Sequence, residues 1–289
     1  MVLRHEMDSD ITYSLQFQLS GHFGAVLCLG CRHDGKYLGS GGTDGTKIWD
    51  LKSRREMQVP ASSTIRGAMT CLVWLKRDDD TAEALIFGTQ SGYLVCWIDE
   101  MDKDTGKAVF KEVWCCQLTE PAEITGLAFD LMTNRLAACH RGGILQIYTL
   151  RGATIRHEVC SFKIPNCTPQ AVMFGSMFGN ERELMLFGLH CGLVYTVRGN
   201  LPPSVENAWN LGCHIGGVAL DVANSVLCIN DPSTSVDSYG FRDRERLKSF
   251  RSTNNEVATC SPGVFGRQFH HGRERKRPWD RLHLGAASW

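Results

Sequence analysis

His22, Ser40 and Asp44 are the residue types of a hydrolytic triad, in which an acid orients an imidazole and the imidazole takes a hydroxyl proton. Their spacing neither requires nor forbids that chemistry, so a structural network and a catalytic one both stand at this point. Cys28-Leu29-Gly30-Cys31, followed by His33, has the look of a metal or haem-attachment motif. A strand, however, puts positions 28 and 31 on opposite faces, and no second ligand pair follows at zinc spacing. Cys115-Cys116, Cys139-His140 and His190-Cys191 are isolated pairs, and His270-His271 lies in the tail. None reaches a ligand set, so neither a metal nor a cofactor is expected. Arg273 to Arg281 is a basic cluster broken by Glu274, Pro278 and Asp280. Phosphate binding or nuclear import is one use for it, and a solvated tail is the plainer reading.

The elements that must position these residues are strands. Asp44-Gly45 predicts a two-residue type I′ hairpin between Lys36–Ser40 and a short strand ending in Trp49-Asp50. Glu83–Trp97 aligns without gaps with Glu183–Val197, each an apolar run ending in Phe-Gly, a glycine turn and a second run. Arg135–Tyr148 is another pair of the same kind. The turn glycines Gly45, Gly92, Gly143 and Gly192 stand 47, 51 and 49 residues apart, the period of a four-stranded blade. Opening strands begin near Val26, Cys71, Ile124, Ala171 and Ile215, which sets five units at about 21–60, 66–118, 121–164, 167–212 and 213–252. The nearly continuous apolar runs suit strands buried on both faces. Ile11–Leu19 alternates cleanly and is expected to be an outer strand. It either ties the two chain ends together or lies beside the first blade.

Composition excludes several classes. The 289 residues carry 31 basic and 31 acidic side chains, so no global field points to nucleic acid or an anionic membrane. No apolar run approaches the roughly 18 residues of a membrane helix. Met1–Asp10 is charged and has no apolar core, unlike a secretory signal. The thirteen cysteines sit mostly within apolar strands and are expected to be reduced core thiols.

Gly21-His22, the hairpin through Asp44-Gly45 and Trp49-Asp50 together resemble the signature of the WD-repeat (tryptophan-aspartate repeat) β-propeller family. The resemblance is full in the first unit and weaker in the rest. It implies an all-β propeller of four-stranded blades, five of them recognisable. It also implies a structural hydrogen-bonded network of His22, Ser40, Asp44 and Trp49, which accounts for the triad residues and adds the tryptophan. The Asp44-to-Trp49 interval is one residue short of the family pattern, which predicts a shifted register for Trp49. The second unit keeps Trp97 with Ser91 in place of Asp, and the third and fourth have Tyr148 and Val197 where Trp is usual.

The family most often has seven blades. Here the fifth unit has Asp231–Asp237 in place of the turn glycine, and a sixth opening strand is due near residue 261, with too few residues after it for a blade. An incomplete ring is therefore expected. Residues 1–252 are assigned to the propeller, and 253–289 to an irregular tail or the remnant of a sixth blade. Trp279-Asp280 follows a charge run and is taken as chance.

The resemblance implies no catalytic residues and a scaffold that docks partner proteins on its loops, cytoplasmic with the nucleus as the alternative. Loops on a rigid frame commonly carry recognition. The candidate loops are Ser62 to Arg66, Glu120 to Glu123 and Pro165 to Thr168, with His140-Arg141 and His190-Cys191, and the candidate residues include Asn166. No membrane or small-molecule partner is expected, and nucleic acid is disfavoured. The rivals are a propeller enzyme with a polar central channel and a chromatin factor using the basic tail. The strand openings, apolar or neutral, count against the first, and the zero net charge counts against the second.

Overall fold

Short apolar runs separated by glycine and Asx turns cannot sustain helices, and they form twenty antiparallel strands among the described residues. The computed structural model describes residues 17–61, 64–76, 83–104, 106–151, 155–190, 192–199, 204–221, 225–233 and 235–251. A three-residue 3-10 turn at Thr64–Arg66 is the one helical element among them.

The strands make five four-stranded sheets, each a meander in sequence order. Blade 1 comprises β1 (Val26–Cys31), β2 (Tyr37–Gly42), β3 (Gly45–Asp50) and β4 (Arg55–Glu56). Blade 2 has β5 (Met69–Leu75), β6 (Ala84–Thr89), β7 (Tyr93–Met101) and β8 (Ala108–Gln117). Blade 3 has β9 (Ile124–Asp130), β10 (Arg135–His140), β11 (Ile144–Arg151) and β12 (Ile155–Lys163). Blade 4 has β13 (Pro169–Phe178), β14 (Glu181–Gly188), β15 (Leu193–Arg198) and β16 (Ser204–Asn210). Blade 5 has β17 (Gly217–Asp221), β18 (Val226–Asp231), β19 (Ser235–Gly240) and β20 (Arg246–Arg251). The opening strands β1, β5, β9, β13 and β17 pack side by side in that order, which is a β-propeller arrangement. Among the described residues β17 and β1 share no comparable packing.

One core lies at each blade junction. Cys28, Ile48, Met69 and Trp74 fill the first, and Leu94, Ile124, Leu136 and Tyr148 the second. Ala137, Leu145, Val172 and Leu186 fill the third, and Phe187, Ile215, Leu227 and Tyr239 the fourth. The second strands β2, β6 and β10 are buried at every position, because a neighbouring blade or the N-terminal segment covers each face.

A repeat less visible in sequence runs through all five blades. Four residues before the end of each second strand stands a leucine: Leu38, Leu85, Leu136, Leu184 and Leu227. Each pairs across to the third strand with Trp49, Trp97, Tyr148, Val197 or Tyr239. All ten are buried, and each large apolar side chain withdrawn from water contributes about 1.5–3 kcal/mol.

The register corrects two expectations about the first hairpin. Gly42 pairs with Gly45, so the loop residues are Thr43 and Asp44 rather than Asp44 and Gly45. Only Gly45 of that hairpin has positive φ, at 113°, which a type I′ turn does not allow. Trp49 is also not out of register. It stands opposite Leu38 as Trp97 stands opposite Leu85, and the missing residue is absorbed by the loop, two residues in blade 1 against Gln90, Ser91 and Gly92 in blade 2.

Of the expected N-terminal strand, residues 11–16 lie outside the described residues. Residues 17–19 form no strand, but Phe17 and Leu19 pack on Leu38, Trp49 and Leu51 of blade 1. The expected tail, with its basic cluster, also lies outside the described residues.

Candidate functional site

The turns that follow each second strand and the linkers that join successive blades meet at one end of the strands. Backbone hydrogen bonds show this directly. Ser91 N–H donates to Arg66 O (3.2 Å), Arg141 N–H to Glu123 O (2.8 Å) and Leu189 N–H to Thr168 O (2.8 Å), so each hairpin leans on the linker before its blade. In the other direction, Leu118, Ile164 and Leu211 N–H donate to Gly92, Gly143 and Gly192 O at 2.8–2.9 Å. Each hairpin is thereby tied to the linker that leaves its own blade. These ties make a rigid loop face.

Gly92 shows why glycine is needed here. Its φ is +78°, and a Cβ would lie 2.9 Å from both Ala122 N and Ala122 O. A side chain would meet backbone that has nowhere to move.

A second set of bonds runs along the opening strands just beneath this face. Thr70 Oγ1 donates to Ile124 O (2.5 Å), Thr125 Oγ1 to Pro169 O (2.8 Å) and Gln170 Nε2 to Gly216 O (3.1 Å). One position further along, Cys28 Sγ approaches Met69 O at 3.7 Å in blade 1, as Cys71 Sγ approaches Ile124 O at 3.5 Å in blade 2. Blades 1 to 4 thus each hold the backbone of the next through side chains near the start of the opening strand. No sequence motif marked these residues, because Thr, Gln and Cys share only the capacity to donate.

The four residues singled out in the first unit are brought together. His22 Nδ1 lies 2.7 Å from Asp44 Oδ1, and His22 Nε2 lies 2.7 Å from Ser40 Oγ. Trp49 Nε1–H donates to Ser40 Oγ at 2.8 Å, and Phe23 N–H donates to Asp44 Oδ2 at 2.8 Å. Partial burial opposes the charge on Asp44, yet the Phe23 N–H and the His22 ring hold its carboxyl below the ordinary value. An ionised Asp44 can only accept, so Nδ1 carries the proton and Nε2 accepts from the Ser40 hydroxyl.

This has the connectivity of an acid–base triad but not its reactivity. Ser40 is 2% exposed, and the indole N–H occupies its oxygen. A nucleophile must be reachable by a substrate carbonyl, with donors waiting for the oxyanion. The relay instead satisfies three polar groups that burial would otherwise strand.

The other candidates divide by exposure. Arg66 forms a bidentate pair with Glu112, at 2.5 and 3.0 Å, which lowers the Glu112 pKa, and Arg141 Nε lies 2.6 Å from Glu123 Oε2. Lys163 and Glu120 are 3.8 Å apart and both open to solvent. Asn166 is exposed with φ 55°, and the exposed His190 packs edge-on against His214 at 5.8 Å. His140 is a correction: its side chain is fully buried beneath the face, where burial pushes its pKa down, and its Nδ1 accepts the Gly142 N–H at 3.0 Å. It forms part of the wall and not of the surface. Ser62 and Cys191 lie outside the described residues.

Two exposed apolar residues on this face were not singled out in the sequence, although Ile65 lies within the candidate loop Ser62 to Arg66. Phe23 is 96% exposed, held out by its own N–H bond to Asp44, and Ile65 is 75% exposed on the linker between blades 1 and 2. An isolated apolar residue inside a predicted loop carried no signal. Among the described residues no group of three or more His, Cys, Asp and Glu could hold a metal. The recess bordered by Gly45, Arg66, Phe87 and Trp97 measures about 20 Å³, little more than one water.

No protein-family model matches the sequence, and no curated protein is significantly similar to it. Among solved structures, the chain is similar to the RRP9 WD40 repeats, with 16% identity and a TM-score of 0.61. It is also similar to a chain of the mitotic checkpoint complex (15%, 0.57) and to U3-55K (16%, 0.58). Each likeness covers 81% of this chain and 65%, 67% and 66% of the respective neighbour, so the chain spans about two thirds of their length. The shared property is the fold, that of WD-repeat β-propellers.

Proposed function

We propose that this propeller of WD-repeat fold is a non-catalytic scaffold that docks partner proteins on its loop face. The observation that carries the reading is the exposure of Phe23 and Ile65 on a backbone-braced surface that also bears the Arg66–Glu112 and Arg141–Glu123 pairs. Apolar anchors bordered by a charged rim are the usual anatomy of a protein-binding patch. The occupied, covered Ser40 speaks against hydrolysis at the one triad-like cluster. The partners in this reading are proteins, without a membrane, nucleic-acid or small-molecule role.

A cytoplasmic location, or a nuclear one, is supported by the thiols. Cys28, Cys71, Cys96 and Cys139 are unbridged, and burial raises each, to about 12 for Cys28, Cys96 and Cys139. Such thiols act as core filling rather than redox chemistry.

Affinity capture from cell extract with mass spectrometry tests the scaffold reading. Wild type should return specific proteins that Phe23→Ser with Ile65→Ser loses while keeping its melting temperature. Substrate turnover abolished by a single substitution that leaves the fold intact would overturn it.

A further inference from the structure

Each second strand ends at the loop face, and its last residue is Gly42, Thr89, His140, Gly188 or Asp231 in blades 1 to 5. Blade 3 alone puts there a side chain whose ordinary titration lies near neutrality. His140 is fully buried, and its ring is part of what holds the hairpin. Nδ1 accepts the Gly142 N–H at 3.0 Å, and the turn closes through Gly143 N–H to His140 O at 3.0 Å. The same turn carries three ties to the linkers. Arg141 N–H donates to Glu123 O (2.8 Å), Arg141 Nε to Glu123 Oε2 (2.6 Å) and Ile164 N–H to Gly143 O (2.8 Å). With Nδ1 accepting, the ring is neutral and its proton sits on Nε2, which has no hydrogen-bond partner among the described residues.

Proton uptake reverses the first of these bonds. Nδ1–H would face the Gly142 N–H, donor against donor, and a buried imidazolium would hold two N–H groups without an acceptor. The charged groups around the ring are few. Glu120 on the linker favours the proton and Lys163 at the end of β12 opposes it, the two lying 3.8 Å apart and open to solvent. Glu123 already holds Arg141, and Glu158 accepts from Gln146 Nε2 at 3.3 Å. From β9 the cross-strand neighbour is Ile124, which carries no charge. The carboxylate left to meet a charged ring is therefore Glu120, and it lies at the surface.

We propose that His140 is an acid-released latch of the loop face: once protonated it leaves the wall toward Glu120, frees the Arg141–Gly143 turn and slackens the blade 3 part of the docking surface. Burial favours the neutral ring and sets its pKa below the ordinary 6.5. The stability tied to the neutral ring is complete above about 6.5 and declines as pH falls from there toward the folded value. A partner protein seated across Arg141 and Glu123 is released over the same range. That consequence rests on the loop face being the docking surface, whereas the latch itself does not.

Hydrogen exchange of the full chain by mass spectrometry, at about pH 7.5 and about pH 5 with the intrinsic pH dependence of amide exchange divided out, tests the latch without any partner. Protection of Arg141–Gly143 and Ile164 should fall at least about fivefold at the lower pH, while Leu118, tied to Gly92 in the blade 2 turn, keeps its own. His140→Asn offers the Gly142 N–H an amide oxygen that takes up no proton in this range, and it should hold the protection constant between the two conditions. Unchanged protection in wild type, an equal fall in His140→Asn, or an equal fall at Leu118 would overturn the proposal. A latch that opens while loop-face substitutions leave partner capture unchanged would count against the docking reading alone. If His140→Asn does not fold, proton NMR titration of the wild-type ring takes its place. An apparent pKa at or above about 6.5, or a Gly142 amide shift that does not follow the ring, would then overturn the latch.

Discussion

Ser40 is the meeting point of three groups: it donates to His22, accepts from Trp49, and through His22 is linked to Asp44. Removing the large partner should hurt most. Trp49→Ala is expected to lower stability by about 3–5 kcal/mol, the range for a buried aromatic replaced by a cavity. Trp49→Phe keeps most of the volume and loses the indole donor, so it should cost about 1–2 kcal/mol. Denaturant titration of both variants checks the pair, and equal losses would mean that the hydrogen bond, not packing, sets the effect. Asp44 adds a pH dependence. Its carboxyl titrates below the ordinary 3.8 when folded, so its stabilisation is complete above that value and lost as pH falls through the folded pKa. Wild type should therefore lose stability more steeply below about pH 4 than Asp44→Asn does, in unfolding midpoints measured across a pH series. The network was legible in the sequence because residue types, order and hairpin coincide in the first unit. The fate of His140 was not, since a histidine beside a turn reads the same whether it points outward or under the adjoining linker.

At the scale of elements, the hairpins and linkers brace one another, and glycine makes that possible. Gly92→Ala must carry both the left-handed conformation and the clash with Ala122, and it should destabilise by about 2–4 kcal/mol. Gly35 has a similar φ of +71° with open space around it, so Gly35→Ala should cost only the conformational part, about 1–2 kcal/mol. Thermal melts of the two variants separate strain from contact. The second strands β2, β6 and β10, buried throughout, should exchange their amide hydrogens slowest, and the two-residue exposed β4 fastest. The blades were legible from the glycine period and the apolar runs. The leucine–aromatic pairing was hidden because the third-strand partner varies from Trp to Tyr to Val and loop lengths shift it in number, though not in register. The side-chain bonds from Thr70, Thr125 and Gln170 to the next blade were hidden for a different reason: they join residues more than forty positions apart.

For the whole molecule, five blades in sequence order share four apolar junctions, so stability spreads through nearest neighbours. Charged groups at the far end add to two of these junctions. Arg32 joins Glu83 (2.8 Å) and Asp99 (2.7 Å) between blades 1 and 2, and Arg135 joins Glu181 (3.0 Å) between blades 3 and 4. Those pairs join neighbouring blades, whereas Arg141–Glu123 on the loop face ties a hairpin to the linker before its own blade. The propeller fold could be read from sequence, whereas the division of labour between its two ends depends on which charges are already paired, and only three dimensions show that. Calorimetric titration of the principal captured partner against three forms of the chain tests the central claim most directly. Phe23→Ser with Ile65→Ser and Arg141→Glu should weaken binding at least about tenfold, and Arg242→Glu with Arg244→Glu should leave it at the wild-type value. The reverse pattern, or an affinity untouched by the loop-face substitutions, would contradict the assignment of that face as the docking surface.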